Sequence, residues 1–373
     1  MNTKVVFFGL AVVVATLAAA ELIFRLWIFQ KNSSIESAYQ SIVYDKSVVG
    51  YISQPYLNYI NNPKLLDKEG NAEINSMGIR YPREVALDKP AGTYRILFLG
   101  GSTTFGDVDD AFDVFPALIE KRLKDSVSLL NPAFQAVECL NAGVHGLTSA
   151  ELLTHFQFKY QYLQPDLVVL HTGFNDAFMY AGINDAPYQP DYHNSRRVFR
   201  DVPELTRWQR WLMRSKMIAY FIISIRLSDY LKTTLEDNIF FRHTHHHLWF
   251  KPGNAAISDS AYNAFYNNIT TLSLAAKKRG ADILLVPEVC DSTKMPPPLN
   301  TLMPRGLRLN KRFMERMAVA NGLHYCPLPE AEFTPDMFLD EDGIHVNEQG
   351  ERLKALHIGT CVSEILRQRG KNN

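Results

Sequence analysis

Apolar and polar positions divide the chain into three regimes. Val5 to Ala20 is uncharged and almost wholly apolar, and after Glu21 the pattern resumes as Leu22-Ile23-Phe24 and Leu26-Trp27-Ile28-Phe29. A hydrocarbon core of about 30 Å needs about 20 such residues. Residues 1–30 therefore read as a transmembrane anchor or signal-anchor. The Ala18-Ala19-Ala20 run offers a signal-peptidase site as the alternative. Cleavage there would leave a mature end opening on an apolar segment, which favours the uncleaved anchor. Lys4 before the span against Arg25 and Lys31 after it gives no clean orientation by charge.

Residues 31–92 are polar and turn-rich, with Asn61-Asn62-Pro63 and Gly70-Asn71 as breakers, and read as a stalk and collar. From Thr93 the pattern changes to short apolar runs separated by amphipathic stretches. Arg95-Ile96-Leu97-Phe98-Leu99 ends in Gly100-Gly101, as a strand buried on both faces would. Helical spacing follows at Phe115, Leu118, Ile119 and Leu123; Val137 to Leu140 forms a second strand ending at Asn141-Ala142-Gly143; Ser149 to Leu163 is helical. Asp166 to Leu170 is a third strand, ending at Gly173-Phe174-Asn175-Asp176. Later, Ala261 to Lys278 is helical and Ile283 to Val286 is a fourth strand; Leu307 to Ala320, His324 to Pro327 and Glu348 to Arg369 supply helix, fifth strand and closing helix. Alternation of this kind predicts a parallel sheet between two helical layers over residues 93–370.

An interruption at about residues 178–253 exceeds an ordinary connection and reads as an insert. Within it Trp208, Trp211, Leu212, Ile218, Ile222 and Ile225 fall at helical spacing. Such a stripe packs on the domain, or it forms a surface for lipid or an acyl chain.

Composition removes several function classes. Lys+Arg and Asp+Glu both number 39, so no net field recruits a polyanion, and nucleic acid is not an expected partner. Cys139, Cys290, Cys326 and Cys361 lack metal-ligand spacing. They read as small buried hydrophobes, with a Cys290–Cys326 bridge as the alternative because each ends a predicted strand. The His243, His245, His246 and His247 cluster has no carboxylate or cysteine partner at set spacing, so no metal site is expected there.

Ligands of parallel sheets sit at the carboxyl ends of the strands, and the strand ends here carry a consistent chemistry. Ser102 follows the first strand and two glycines and precedes a helix, which puts its hydroxyl near an N-terminus that favours negative charge. Gly143 at the second strand end and the Asn175 carboxamide at the third are candidate donors to an oxyanion. Near the C-terminus Asp342 stands three residues before His345, a spacing that lets the carboxylate set the imidazole tautomer so that Nε2 faces the serine. Asp340 is a rival orienter, and His145 and His171 are rival bases.

These residues carry a resemblance. Phe98-Leu99-Gly100-Gly101-Ser102-Thr103-Thr104-Phe105-Gly106 resembles block I of the SGNH (GDSL-like) serine hydrolases, Asn141-Ala142-Gly143 block II, Gly173-Phe174-Asn175-Asp176 block III and Asp342 to His345 block V. Gly101 stands where the GDSL spelling has Asp, a position outside the triad. Val49-Gly50-Tyr51 and Asn75 to Arg80 look like the collar of membrane-anchored relatives. The resemblance implies a three-layer α/β/α flavodoxin-like fold with no cofactor or metal. It also implies Ser102 as nucleophile, Asp342 and His345 as the acid–base pair, and an oxyanion hole of Ser102, Gly143 and Asn175.

The function implied is a serine esterase working through an acyl-serine on carboxyl esters, with O-acyl groups of a glycan or lipid as partners. An O-acyltransferase using the same triad is the alternative. A catalytically silent binding or assembly protein is the second. The expected location is the membrane, through the N-terminal helix, with the catalytic domain extracytoplasmic. If residues 1–30 stay in the bilayer, full-length protein will remain in the membrane fraction after high-salt and carbonate washing, and deleting them will release it. A mature N-terminus at Glu21 in a soluble fraction would establish cleavage instead.

Overall fold

The computed structural model describes residues 3–28, 50–63, 73–181, 207–225, 261–297, 299–339 and 342–371. They fall into two compact units, residues 1–53 with 198–242 and residues 54–197 with 243–373.

In the first unit, helix α1 (Thr3–Ile23) continues into one wide turn at Phe24–Ile28. Lys4–Leu26 is a 23-residue stretch of mean hydropathy 2.4, long and apolar enough to cross a membrane. At its polar end the Glu21 carboxylate accepts hydrogen bonds from Ser215 Oγ (2.7 Å) and the Lys216 and Met217 amides (2.8 and 3.1 Å). Those amides open an apolar ten-residue helix, Lys216–Ile225, so Glu21 answers donors that a helix start leaves unpaired.

The second unit is a three-layer α/β/α sandwich. Its five parallel strands are β1 (Thr93–Gly100), β2 (Ala136–Asn141), β3 (Leu167–Thr172), β4 (Asp282–Pro287) and β5 (His324–Tyr325), arranged in space as β2-β1-β3-β4-β5. This is the flavodoxin-like order, with its topological switch point between β1 and β3. Every residue of β1 and β3 is buried, which explains the apolar runs 96–99 and 167–170 within them. Alternate residues serve opposite faces: Ile96, Phe98 and Val169 join one cluster with Phe115, Ile119, Ile358 and Val362. The helices supplying that cluster are α2 (Phe115–Leu123) and the closing α8 (Glu348–Lys371). The longer helices of this unit besides these are α3 (Ser149–Phe158), α4 (Phe174–Ala181), α6 (Ala261–Lys278) and α7 (Leu299–Asn321), and α5 is the Lys216–Ile225 helix of the first unit.

Element existence matches the hydrophobic pattern, and several boundaries do not. Helix α7 begins at Leu299, ahead of the expected Leu307 and through Pro304. Strand β5 is only His324–Tyr325. Cys326, just beyond it, pairs with Cys361 on α8 across a Cα–Cα distance of 6.3 Å, so the alternative Cys290–Cys326 bridge does not form. The reason is geometric: α8 returns along the sheet and turns Cys361 toward the end of β5. Cys139 and Cys290 remain thiols, and burial pushes Cys290 up to about 12.

Closing a 35-residue separation restrains the unfolded chain by about 3–4 kcal/mol. The Cys326→Ser/Cys361→Ser variant should lose stability of that order, read as a lower denaturant midpoint. An unchanged midpoint would show that the crosslink contributes nothing.

Candidate active site

The site forms where the C-terminal ends of β1 and β3 meet the loop that leads into α8. Immediately after β1 the chain makes a one-turn helix, Ser102–Phe105, entered from Gly100 and Gly101. A Cβ on Gly100 would lie 2.0 Å from Thr104 Oγ1 and 2.1 Å from the His171 carbonyl oxygen, so only glycine fits between the turn and β3. The helix N-terminus leaves the first amides without intrahelical acceptors, and the Ser102 hydroxyl emerges beside them.

His345 Nε2 lies 2.6 Å from Ser102 Oγ. On the other side of the ring Nδ1 meets Asp342 Oδ2 in a short contact, while Asp342 Oδ1 accepts from the Ile344 and His345 amides at 2.7 and 2.9 Å. The aspartate thereby fixes both its own turn and the imidazole, and Nδ1 as donor leaves Nε2 as acceptor. Burial alone would lower the His345 pKa; the Asp342 hydrogen bond, followed by the charges of Asp107 and Asp342, overrides it and raises the value above that of an ordinary histidine. The rival orienter Asp340 lies outside the described residues.

The two rival bases stand elsewhere. His171 is buried beneath the site, 3.3 Å from the Val286 carbonyl, and burial with the Lys354 charge brings it down to about 3. It is a neutral core residue packed edge-on to Phe115. His145 has its ring centroid 6.5 Å from that of His345, and its Nε2 lies 2.9 Å from Asp107 Oδ1.

Of the three expected oxyanion donors, the Ser102 amide and Asn175 are available. Asn175 Nδ2 donates to the Leu147 carbonyl at 3.0 Å, which uses one of its two hydrogens and holds the carboxamide beside Gly101, whose ideal Cβ position is 2.5 Å from Nδ2. Gly143 differs from expectation. Its N–H donates to Asn141 Oδ1 at 3.0 Å, so it is already engaged. Gly143 is glycine for another reason: a Cβ there would lie 2.3 Å from the Phe105 amide nitrogen. Three residues on, Gly146 adopts φ 75° next to Leu147, and among the described residues its N–H has no acceptor.

Sequence reasoning also missed the floor under Ser102. Glu288, directly after β4, accepts from Thr103 Oγ1 and from the Phe174 amide, both in short contacts. One buried carboxylate thus ties the residue after Ser102 to the residue before Asn175. Burial pushes Glu288 up, against those hydrogen bonds. From α8, buried Lys354 donates to the Thr103 carbonyl at 2.8 Å and pairs with buried Glu351, whose other oxygen accepts from the Phe115 amide at 2.7 Å. Reading the end of the fourth strand as the first three were read would have pointed to Glu288. Among the described residues no group of three or more His, Cys, Asp or Glu is arranged to hold a metal ion. The His243–His247 cluster lies outside them.

Residues 98–353 match the GDSL-like lipase/acylhydrolase family. Solved structures similar in shape include a lipase/acylhydrolase from Enterococcus faecalis, at 18% identity and TM-score 0.41, covering 74% of this chain and 96% of that one. A catalytic mutant of an acetylxylan esterase from Geobacillus stearothermophilus aligns at 13% identity and TM-score 0.42, covering 74% and 96%. An α/β hydrolase from the metagenome of Lake Arreo aligns at 14% and TM-score 0.42, covering 75% and 99%. No curated protein matches the chain.

Because any side chain at position 143 meets backbone, Gly143→Ala should destabilise the turn that carries Ser102. We expect a cost of about 1–3 kcal/mol, seen as a lower Tm, with activity falling in step. Unchanged stability would show that the two loops can separate freely.

Proposed function

The chain belongs to the GDSL-like lipase/acylhydrolase family, a family of carboxylic ester hydrolases, and from that membership we propose a two-step mechanism through an acyl-serine, assigned to Ser102, His345 and Asp342. The observation that carries the assignment is the 2.6 Å contact between Ser102 Oγ and His345 Nε2, with Asp342 on the opposite nitrogen. As Ser102 attacks the ester carbonyl, its proton passes to Nε2, and the resulting imidazolium is held by Asp342. The Ser102 amide and the Asn175 carboxamide stabilise the oxyanion. The amide of Gly143, the third expected donor, is held by Asn141 Oδ1 at 3.0 Å. Collapse of the intermediate returns the proton from Nε2 to the alcohol oxygen, and water repeats the sequence to release the acid.

The substrate class in this reading is an O-acyl group on a glycan or a lipid. A membrane anchor at residues 1–30, a stalk and collar over 31–92 and a hydrolase domain over 93–370 would present the site at a membrane surface. Location outside the cytoplasm is supported by the Cys326–Cys361 disulfide, since such bonds persist in oxidising compartments. Transfer of the acyl group to a sugar hydroxyl would use the same residues, so product analysis with and without a glycan acceptor separates the two reactions.

A fluorophosphonate probe should label Ser102 in the full-length protein, and Ser102→Ala should abolish both labelling and ester hydrolysis with the fold intact. Near-wild-type turnover by folded Ser102→Ala would overturn the mechanism. Asn175→Ala should lower kcat by roughly 10²–10³-fold with a smaller effect on KM. Hydrolysis needs neutral His345, whose pKa is raised, so activity should fall with decreasing pH along a limb lying above the usual histidine value of about 6.5. A limb below that value would contradict the placement of the two carboxylates around the ring.

A further inference from the structure

Asp107 is five residues beyond Ser102, on the loop that leaves the one-turn helix through Gly106. Its carboxylate faces two imidazoles. Oδ1 is 2.9 Å from His145 Nε2, and Oδ2 is 3.4 Å from His345 Nε2, the nitrogen that also meets Ser102 Oγ. At 3.4 Å the second contact is too long for a strong hydrogen bond, yet it lies within the distance at which a full charge moves a neighbouring titration. The Asp107 side chain is 28% exposed and that of His345 16% exposed, so water screens the interaction incompletely.

The position of Asp107 is enforced. His145 comes from the loop after β2, packs its ring 4.7 Å from Phe105, and presents Nε2 to the carboxylate. The Arg80 guanidinium covers Phe105 at 4.5 Å and bonds the Val108 carbonyl at 2.8 Å, which fixes the backbone next to Asp107. Burial alone would raise the Asp107 carboxyl; the His145 hydrogen bond and the His345 and His145 charges bring it down to about 2. It is therefore an anion throughout the range in which His345 titrates.

Resting on the esterase reading above, we propose that Asp107, held by His145, is a positioning residue for the reaction: a second carboxylate, on the Nε2 side of His345, that stabilises the imidazolium formed when Ser102 attacks. The proton moves from Ser102 Oγ to Nε2 and later from Nε2 to the leaving alcohol oxygen. Asp107 neither accepts nor gives it. What changes is the charge on the ring, which is +1 only between those two transfers. An anion beside Nε2 is worth most in that interval, the condition for a contribution to kcat. The charged and titratable groups around the ring are Asp342 on its own loop, Asp107 on the nucleophile loop, His145 after β2 and Lys354 on α8. Among the charges that act on His345, Lys354 opposes protonation. Asp342 fixes the tautomer from Nδ1, whereas Asp107 makes no tautomer choice and acts through charge.

The experiment is the pH profile of kcat/KM for p-nitrophenyl acetate, measured on full-length wild type, Asp107→Asn, Asp107→Glu and His145→Gln. Removing the anion in Asp107→Asn should move the acid limb toward lower pH by about one unit and lower plateau kcat about tenfold, with little change in KM. Asp107→Glu, which keeps the charge, should hold the limb near wild type. His145→Gln should move it in the same direction as Asp107→Asn by less. A structural role would instead lower Tm and scale the rate at every pH with the limb fixed. An unmoved limb in folded Asp107→Asn, or in folded His145→Gln should the first variant not fold, overturns the inference. Fluorophosphonate labelling of wild-type Ser102 separates the two failures. Labelling and turnover with an unmoved limb remove only the role of Asp107; absence of both removes the esterase reading and this inference together.

Discussion

The arrangement of the site depends on one tight turn, Gly100 to Gly106, squeezed between two neighbouring strands. The carbonyl of His171 in β3 approaches so closely that position 100 has no room for a side chain, and the loop after β2 approaches Phe105 so closely that position 143 has none either. A turn pinned in this way fixes Ser102 immediately beyond the end of β1. The hydroxyl is consequently placed by backbone sterics and the parallel register, and the side chains around it have only to meet a fixed target.

That turn sits on buried charge. Glu288 reaches Thr103 and the Phe174 amide, and Lys354 reaches the Thr103 carbonyl, while Glu351 neutralises Lys354 and accepts from the start of α2. Buried ions are costly unless paired and fully bonded, and here each one is bonded to backbone that must not move. The same lysine contributes to the potential at His345. Mechanical support and electrostatic tuning therefore share residues, which couples the placement of Ser102 to the charge on His345.

Residues 59–80, ahead of the sheet, add a further layer. Asn61 donates to the Gly143 and Gly78 carbonyls at 2.9 and 3.0 Å, and Arg80 bonds the Val108 carbonyl and covers the Phe105 ring. Tyr59 donates to the His145 carbonyl at 2.7 Å. Residues ahead of the sheet thus brace the loops that hold Asp107, His145 and Gly143. Their polar, weakly periodic sequence suits such bracing, because it supplies side-chain donors to loop carbonyls that strands and helices leave unpaired.

The sequence alone determined the layered sheet, because strands buried on both faces are dominated by apolar residues, and their alternation with amphipathic helices admits few arrangements. It also offered Ser102, Asn175, Asp342 and His345 as candidates, since residues at strand ends and the three-residue spacing of Asp342 and His345 are local properties of the chain. Tertiary structure decided everything that required two distant segments to meet. Which amide in the loop after β2 is free depends on Asn141 folding back to Gly143, and which cysteine Cys326 finds depends on the direction in which α8 returns. Asp107 and Lys354 carry no periodic or motif signature, because a charge acquires its role from the groups packed within a few ångströms of it. Those neighbours, up to 251 residues away in the chain for Lys354 and Thr103, are set by the crossing of helices and strands and by no local pattern.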